Sequence, residues 1–383
     1  MNKPTVQDIF RCFYPAYLEK YSPSPEQAKV ARNILNCKTG AHGANVSVCE
    51  DCGAVQIHYN SCCNRCCPMC QAVPKEMWMD ARKEDVLDAP YFHLVFTVPD
   101  ILNPIIYNNQ KLLYDILYHA ASATISELTA DPKHLGADVG YICILHTWGS
   151  EMNFHPHIHT ILLGGGLTSK NEWKDNGTAF FLPIWAISKV FRGKYMDELK
   201  NLWNTNQLEF HGTAEKYRNH YAFKELIDFC YDAEWIPYCK KTFNGAQSVI
   251  DYLGKYTHRI AISNHRIICM DDENVTFSVK DYRNKGQWKE LTLSGVEFIR
   301  RFLMHVPPKR FVRIRHYGLL CSRSKHKKLA LCRNLLGCQK YLSKLRGKEM
   351  PEILKQLYEI NICVCKSCGG HLGKPQLRKP QRC

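Results

Sequence analysis

The 383-residue chain has no apolar run approaching the roughly 18 residues that a membrane span needs. An integral membrane protein is therefore not expected. Its opening, Met1 to Phe10, lacks a charged end followed by an apolar stretch and a small-residue cleavage site, so no export signal is read. The chain is expected in the cytoplasm. Internal repeats and low-complexity stretches are also missing. Acidic residues are scarce at one end: from Arg300 to Cys383 there are 3 Asp or Glu against 21 Lys or Arg, whereas residues 1–299 carry 33 acidic against 30 basic. The formal net charge of +15 thus belongs to that last segment. Interleaved with Phe311, His316, Tyr317 and Tyr341, it suits phosphate neutralisation and fits DNA or RNA better than a small substrate.

What the chain has in abundance is cysteine, 20 in all. Without an export signal these argue for thiolate metal ligation over a disulfide framework. Seven fall between Cys49 and Cys70. Cys49-x2-Cys52 and Cys67-x2-Cys70 have the spacing of a paired-knuckle, four-thiolate zinc site, and Gly53 suits the tight turn after the first pair. The expected ligand set is Cys49, Cys52, Cys67 and Cys70, with Cys63 or Cys66, from an overlapping CxxC, as substitutes. Cys365-x2-Cys368-Gly369, flanked by Cys363 and His371, could supply half of another site. Zinc here is expected to stabilise a small domain without a sufficient core of its own.

The pattern of apolar residues predicts helices over about 5–20 and 25–36, broken at Ser22 to Pro25, and another from about Gln71 to Leu87. Tyr91 to Val98 reads as a strand, Asn108 to Leu128 as a helix, and Tyr141 to Thr147 and His157 to Leu163 as two strands joined by nine residues. Further helices are predicted near 186–204 and 245–257. Strands are predicted around Ile260 to Met270, Val275 to Val279 and Trp288 to Leu293. The fold class is α+β: an antiparallel sheet with flanking helices over 91–300, an N-terminal helical and zinc-binding region over 1–90, and a basic helical C-terminal region over 301–383.

On a strand, residues two apart share a face, so His157 and His159 of His155-Pro-His-Ile-His159 present two imidazoles side by side. That arrangement makes a metal site. The partner strand carries His146, which antiparallel pairing could place opposite His157 or His159 as a third ligand. Farther on, Tyr252-Leu-Gly-Lys-Tyr256 puts two tyrosines at i and i+4 on one helical face. Tyrosine pairs of this kind usually pack in a core. Here Lys255, His258 and Arg259 surround the pair, and a neighbouring cation helps lower a phenol pKa toward the range of a phenolate nucleophile.

These segments together resemble the HUH endonucleases, and more closely the two-tyrosine rolling-circle transposases of the insertion-sequence-91 family. The likeness is carried by SCCNRCCPMCQ (Ser61 to Gln71), His146-Thr-Trp-Gly149, HPHIHTILLGGGL (His155 to Leu167), YLGKYTHRIAISNHRI (Tyr252 to Ile267) and RFVRIRHYGLL (Arg310 to Leu320). The family's zinc block usually has Arg, His and Lys where this chain has Cys63, Cys66 and Met69, which makes Cys66 a candidate substitute for a histidine ligand. The resemblance implies an HUH catalytic domain that nicks and rejoins single-stranded DNA at the ends of an insertion sequence. His157 and His159 would hold Mg²⁺ or Mn²⁺, and Tyr252 or Tyr256 would form a 5′-phosphotyrosine link. Lys255, His258, Arg259, Arg310, Arg313 and Arg315 are the expected DNA contacts. No GxxxxGK[ST] loop occurs, so a host helicase is the expected source of unwinding.

Three other readings use parts of the same evidence. A zinc-dependent DNA-binding regulator would need only the cysteine knuckle and the basic segment. A metallohydrolase would use His155, His157 and His159 on zinc, but it often adds Asp and His after the cluster, where Thr160, Ile161 and Leu162 stand. A replication initiator or relaxase would share the HUH chemistry.

Overall fold

The computed structural model of the chain describes residues 3–175, 182–235, 237–241, 260–281 and 286–380, together with Val249, Tyr252 and Gly254. Helices α1 (Val6–Lys20) and α2 (Pro25–Asn36) both begin with reciprocal capping boxes, Thr5 with Asp8 and Ser24 with Gln27, and Pro25 opens α2 at a position where its missing N–H costs nothing. A hairpin of β1 (Ala44–Val48) and β2 (Val55–Tyr59) follows, then α3 (Ala72–Lys83). The expected helices and the break between them are thus in place.

The central sheet runs β11-β4-β5-β3-β7, all antiparallel, with β6 (Trp173–Asp175) added to the end of β5. Its strands are β3 (Tyr91–Thr97), β4 (Asp138–Trp148), β5 (Phe154–Leu167), β7 (Tyr238–Lys241) and β11 (Ile314–Gly318). One face carries Leu94, Phe96, Leu145, Ile158 and Leu162. Packed on it are α5 (Gln110–Ala130), after the short α4 (Asn103–Asn108), then α6 (Ile184–Asn204) and α7 (His220–Asp232), which supply Tyr118, Phe191, Tyr195 and Leu226. The other face buries Ile142, Ile144, Ile161 and Leu163 beneath Leu87, Val249 and Leu329. Phe96, with none of its surface exposed, gains about 2–3 kcal/mol from removal from water.

A second core lies elsewhere in the molecule. Strands β8 (Ile267–Met270), β9 (Asn274–Asp281) and β10 (Gln287–Ser294) form a separate antiparallel sheet that leads into α8 (Gly295–Met304). Val6, Ile9, Phe10 and Phe13 of α1 pack on Phe298 and Phe302 of α8, with the Phe10 and Phe302 rings edge to face at 5.3 Å. Gly295 is required here because a Cβ would enter the Phe13 ring.

These contacts cross two of the expected boundaries. The helices of 1–90 are not a unit with the cysteine block alone, since their apolar stripe is satisfied by residues 267–306. The basic segment is not separable at 300 either, because β11 completes the central sheet beside β4. The strand expected over Ile260 to Met270 occupies only Ile267–Met270: Ile260, Ala261 and Ile262 are buried, but Ala261 has φ +47° and cannot extend a strand. The segment after β11 contributes α9 (Lys325–Leu336) and α10 (Met350–Tyr358) before β12 (Gln376–Arg378) returns to pair with β1.

His305, just after α8, ties the β4–β5 turn to this second core. Its Nε2–H donates to the Met152 carbonyl at 3.1 Å, and its Nδ1 lies 3.1 Å from the Thr147 hydroxyl. Burial pushes its pKa from 6.5 down to about 4. Between those two pH values the unfolded chain holds a proton that the folded chain refuses, so the stability from neutral His305 is complete above pH 6.5 and is lost as pH falls toward 4. The full effect is ~3 kcal/mol. Urea titrations across this window should show His305→Gln flattening the slope of stability against pH by about 1.4 kcal/mol per unit; an unchanged slope would show that His305 does not titrate as its burial dictates.

Candidate active site and metal centres

The pairing of β4 with β5 sets His146 directly opposite His157 and Ile144 opposite His159. On the other side of β5, β3 sets Thr97 opposite His157, Val95 opposite His159 and His93 opposite Ile161. Since cross-strand partners share a face and alternate residues return to it, His93, His146, His157 and His159 all project on one side of the sheet. One ring nitrogen from each of His146, His157 and His159 lies within 4.8 Å of the others, and Nε2 of His157 is 3.0 Å from Nε2 of His159. His146, the third residue expected from the sequence, thus lies beside His157 and His159. His155 lies outside the cluster, with Nδ1 3.0 Å from Asp100 Oδ1, which removes the ligand triad of the metallohydrolase reading.

The rings are prepared as ligands. Burial lowers the pKa of His157 to about 4 and holds that of His159 well below its ordinary 6.5, so both are neutral near pH 7. Nδ1–H of His157 donates to the His155 carbonyl at 2.6 Å, which leaves the Nε2 lone pair facing the cluster. Three converging imidazoles fit a divalent ion and suit Mn²⁺ better than the harder Mg²⁺.

Tyr252 reaches this cluster. Its hydroxyl is 3.2 Å from His159 Nδ1 and in close contact with His93 Nε2, and the His93 and Tyr252 rings are 4.6 Å apart. His93 Nε2 is in turn 2.9 Å from His159 Nδ1, and burial lowers the His93 pKa to about 4. Val249, Tyr252 and Gly254 are helical, and Gly254 allows α3 to approach closely, since a Cβ there would strike Met79. His93 is a site residue missed in reading the sequence. Its signal was a titratable histidine within the largely apolar strand YFHLVFTV. Tyr256, Lys255, His258 and Arg259 lie outside the described residues.

The expected zinc set does not converge. Cys49 and Cys52 occupy the turn of the β1–β2 hairpin. The five residues of β2 then carry the chain roughly 15 Å from that turn before Cys62. Cys67 and Cys70 instead meet Cys37 and Cys62, with all four sulfurs within 4.8 Å of one another and Cys62 Sγ 3.8 Å from Cys70 Sγ. Cys37 is brought there at the end of α2, where the N–H of Lys38 donates to the Asn60 carbonyl. The substitutes Cys63 and Cys66 lie outside this cluster. Cys66 is buried beside Arg65 and Arg313, and Cys63 is exposed with φ +52°. Cys49 and Cys52 form a separate cluster with Cys365 and Cys368.

Residues 140–328 match the family described as "Putative transposase", and residues 9–98 match "Transposase zinc-binding domain". The "Putative transposase y4qJ" of Sinorhizobium fredii is 40% identical over 336 residues, 87% of this chain and 84% of that one. The chain belongs to the insertion-sequence-91 family of transposases. A second relative, the "Transposase for insertion sequence element IS801" of Pseudomonas savastanoi pv. phaseolicola, is 29% identical over 78% of this chain and 71% of its own. Among solved structures, a conjugative relaxase, TrwC, in complex with oriT DNA and bound to copper covers 67% of this chain and 96% of its own, at 13% identity and a TM-score of 0.24. A superposition that weak carries no argument. No helix among the described residues of the transposase is long and apolar enough to cross a membrane.

The zinc-binding match spans Cys37, Cys62, Cys67 and Cys70, and four thiolates at these separations fit tetrahedral Zn²⁺. Two expected DNA contacts are committed to the fold of the transposase. The Arg315 guanidinium pairs with Asp115 and lies over the Tyr118 ring at 4.0 Å, on the face of the sheet away from the histidines. Arg313 is half-buried near Trp148, with its guanidinium 5.9 Å from the ring centroid. Arg310 is exposed. Metal analysis of purified variants should show Cys37→Ser losing one zinc equivalent while Cys66→Ser keeps it. The reverse pattern would return Cys66 to the ligand set.

Proposed function

We propose that this transposase cleaves and rejoins single-stranded DNA with Tyr252 as nucleophile, through a covalent 5′-phosphotyrosine. The observation that supports this most is the convergence of the Tyr252 hydroxyl with His93 and His159, at the edge of a cluster of three histidines able to hold a metal. A divalent ion held by His146, His157 and His159 would neutralise charge on a phosphodiester. The protein's own residues handle the proton and the geometry. Neutral His93 accepts the phenolic proton at Nε2 as Oη attacks phosphorus. The P–O3′ bond then breaks, and the departing 3′ oxygen takes a proton from water to leave a free 3′-hydroxyl. Nδ1–H of His159 points at Oη and orients it. Rejoining is the reverse: a 3′-hydroxyl attacks the phosphotyrosine and the tyrosine leaves. One phosphodiester is exchanged for another, so no ATP is needed.

Tyr256, four residues after Tyr252 in the sequence, would serve as the second nucleophile. Lys255, His258, Arg259 and Arg310 would contact the strand, a host helicase would open the duplex, and the reaction would take place at the nucleoid in the cytoplasm. The relatives named as transposases favour this reading over a non-catalytic regulator or a replication initiator.

Incubating the protein with labelled single-stranded DNA from the ends of its own element and Mn²⁺ or Mg²⁺ should give an adduct that survives denaturing electrophoresis. His157→Ala should abolish it, Tyr252→Phe should remove the first-formed adduct, and Tyr252→Phe/Tyr256→Phe should leave none. His93→Gln should slow adduct formation by about 10²–10⁴-fold, with metal affinity retained. An adduct persisting in the double tyrosine variant, or none with the correct ends and metal, would sink the mechanism.

A further inference from the structure

The match to a zinc-binding domain ends at residue 98, yet half of the second cysteine cluster comes from the far end of the chain. We propose that Cys49, Cys52, Cys365 and Cys368 form a second tetrahedral zinc site, which fastens residues 360–380 to the N-terminal hairpin. The inference stands apart from the tyrosine chemistry.

Sulfur positions carry it first. Cys49 Sγ lies 3.5 Å from Cys368 Sγ, and Cys52 Sγ lies 3.8 Å from Cys365 Sγ, with all four within 4.8 Å of one another. With Zn–S bonds of about 2.3 Å, the edge of a tetrahedron is about 3.8 Å. A disulfide would need about 2.05 Å.

The two halves also have the same local fold, although Cys49 and Cys368 are 319 residues apart. Each is a Cys-x2-Cys-Gly turn. Gly53 N–H donates to the Cys49 carbonyl at 3.0 Å and Gly369 N–H to the Cys365 carbonyl at 2.9 Å, with φ +71° and +78° at the two glycines. That conformation suits glycine and closes both turns so that their sulfurs face inward. Backbone N–H groups then point at the sulfurs: Ser367 at Cys365 Sγ and Gly370 at Cys368 Sγ, each 3.4 Å. Such donors favour thiolate over thiol.

Something must hold this module together besides packing. Its buried apolar cluster is only Cys49, Cys365 and Leu372, with Ala54 partly buried against it. The strand that joins it to the hairpin, β12, pairs with β1 over three residues, Val46 with Gln376, Asn45 with Leu377 and Ala44 with Arg378. A core this small does not sustain a fold in water without a metal or a covalent staple.

The test uses the full chain purified without chelator. Elemental analysis should find two zinc ions per chain, falling to one in Cys365→Ser/Cys368→Ser. Cys368→His, which keeps a four-ligand set, should retain two, and its Co²⁺-substituted form should show a d–d band moved to shorter wavelength. Iodoacetamide applied to the folded protein should spare Cys49, Cys52, Cys365 and Cys368 until metal is removed, as read by peptide mass. One zinc in the unaltered chain, two in the double serine variant, or labelling of these four thiols in folded, metal-replete protein would each overturn the proposal. None of these readouts involves DNA.

Discussion

The antiparallel register between β4 and β5 is the constraint on which the rest depends. Setting His146 opposite His157 brings three imidazoles to one face and, in the same stroke, turns Leu145, Ile158 and Leu162 onto the helical face. Because side chains alternate strictly, a slip of one residue would bury the histidines among α5 and α6 and expose the apolar set. The same pattern that builds the core therefore builds the site. The bulge between His146 and Trp148 interrupts this regular stretch, and Trp148, still paired with Phe154, packs its ring in the second core, 5.9 Å from that of His305. Chemistry and packing meet at that point of the hairpin.

The basic segment has a different logic from the one its composition suggests. Part of its charge is met by acids of the N-terminal half: Lys325 pairs with Asp85, Lys328 with Asp138, and Arg346 with Glu84, while Tyr341, Ser343 and the Leu345 N–H converge on Asp80. Asp85 and Glu84 are well shielded, so these pairs act as docking contacts more than as solvated ion pairs. The remaining cations are still numerous enough to attract a polyanion. Those already paired hold α9 and the segment that follows it against α3, the helix that also meets the turn bearing Tyr252.

Local signals in the sequence were easy to read. Capping boxes, the apolar runs of β3 to β5 and the apolar stripes of α5 and α6 each reflect interactions between residues close in sequence, and the histidine pair on β5 needed only the pleat. What could not be read were the long-range choices. Cysteine spacing pairs knuckles that are near in sequence, but the β1–β2 hairpin separates them in space, and Cys37 and Cys365 have no local pattern to announce their partners. His93 is similar, for it becomes visible only once β3 is known to lie beside β5. Arg313 and Arg315 are basic in composition, yet Arg315 faces α5, as its pairing with Cys143 on β11 dictates, and Arg313, just ahead of that strand, lies near Trp148 of the second core.

The pairing of β12 with β1 has a bearing on how the molecule comes into being. β1 and β2 can form a hairpin as soon as they are made, but the open edge of β1 waits for a strand encoded more than three hundred residues later. At ordinary rates of synthesis that delay is roughly 15–60 s. During it, a strand bearing exposed Val48, beside Val55, Ile57 and Tyr59 on β2, offers unpaired backbone groups to any neighbouring chain. Nascent transposase is thus most prone to misassociation at the end that is made first, and the last few residues to pair are the ones that seal it.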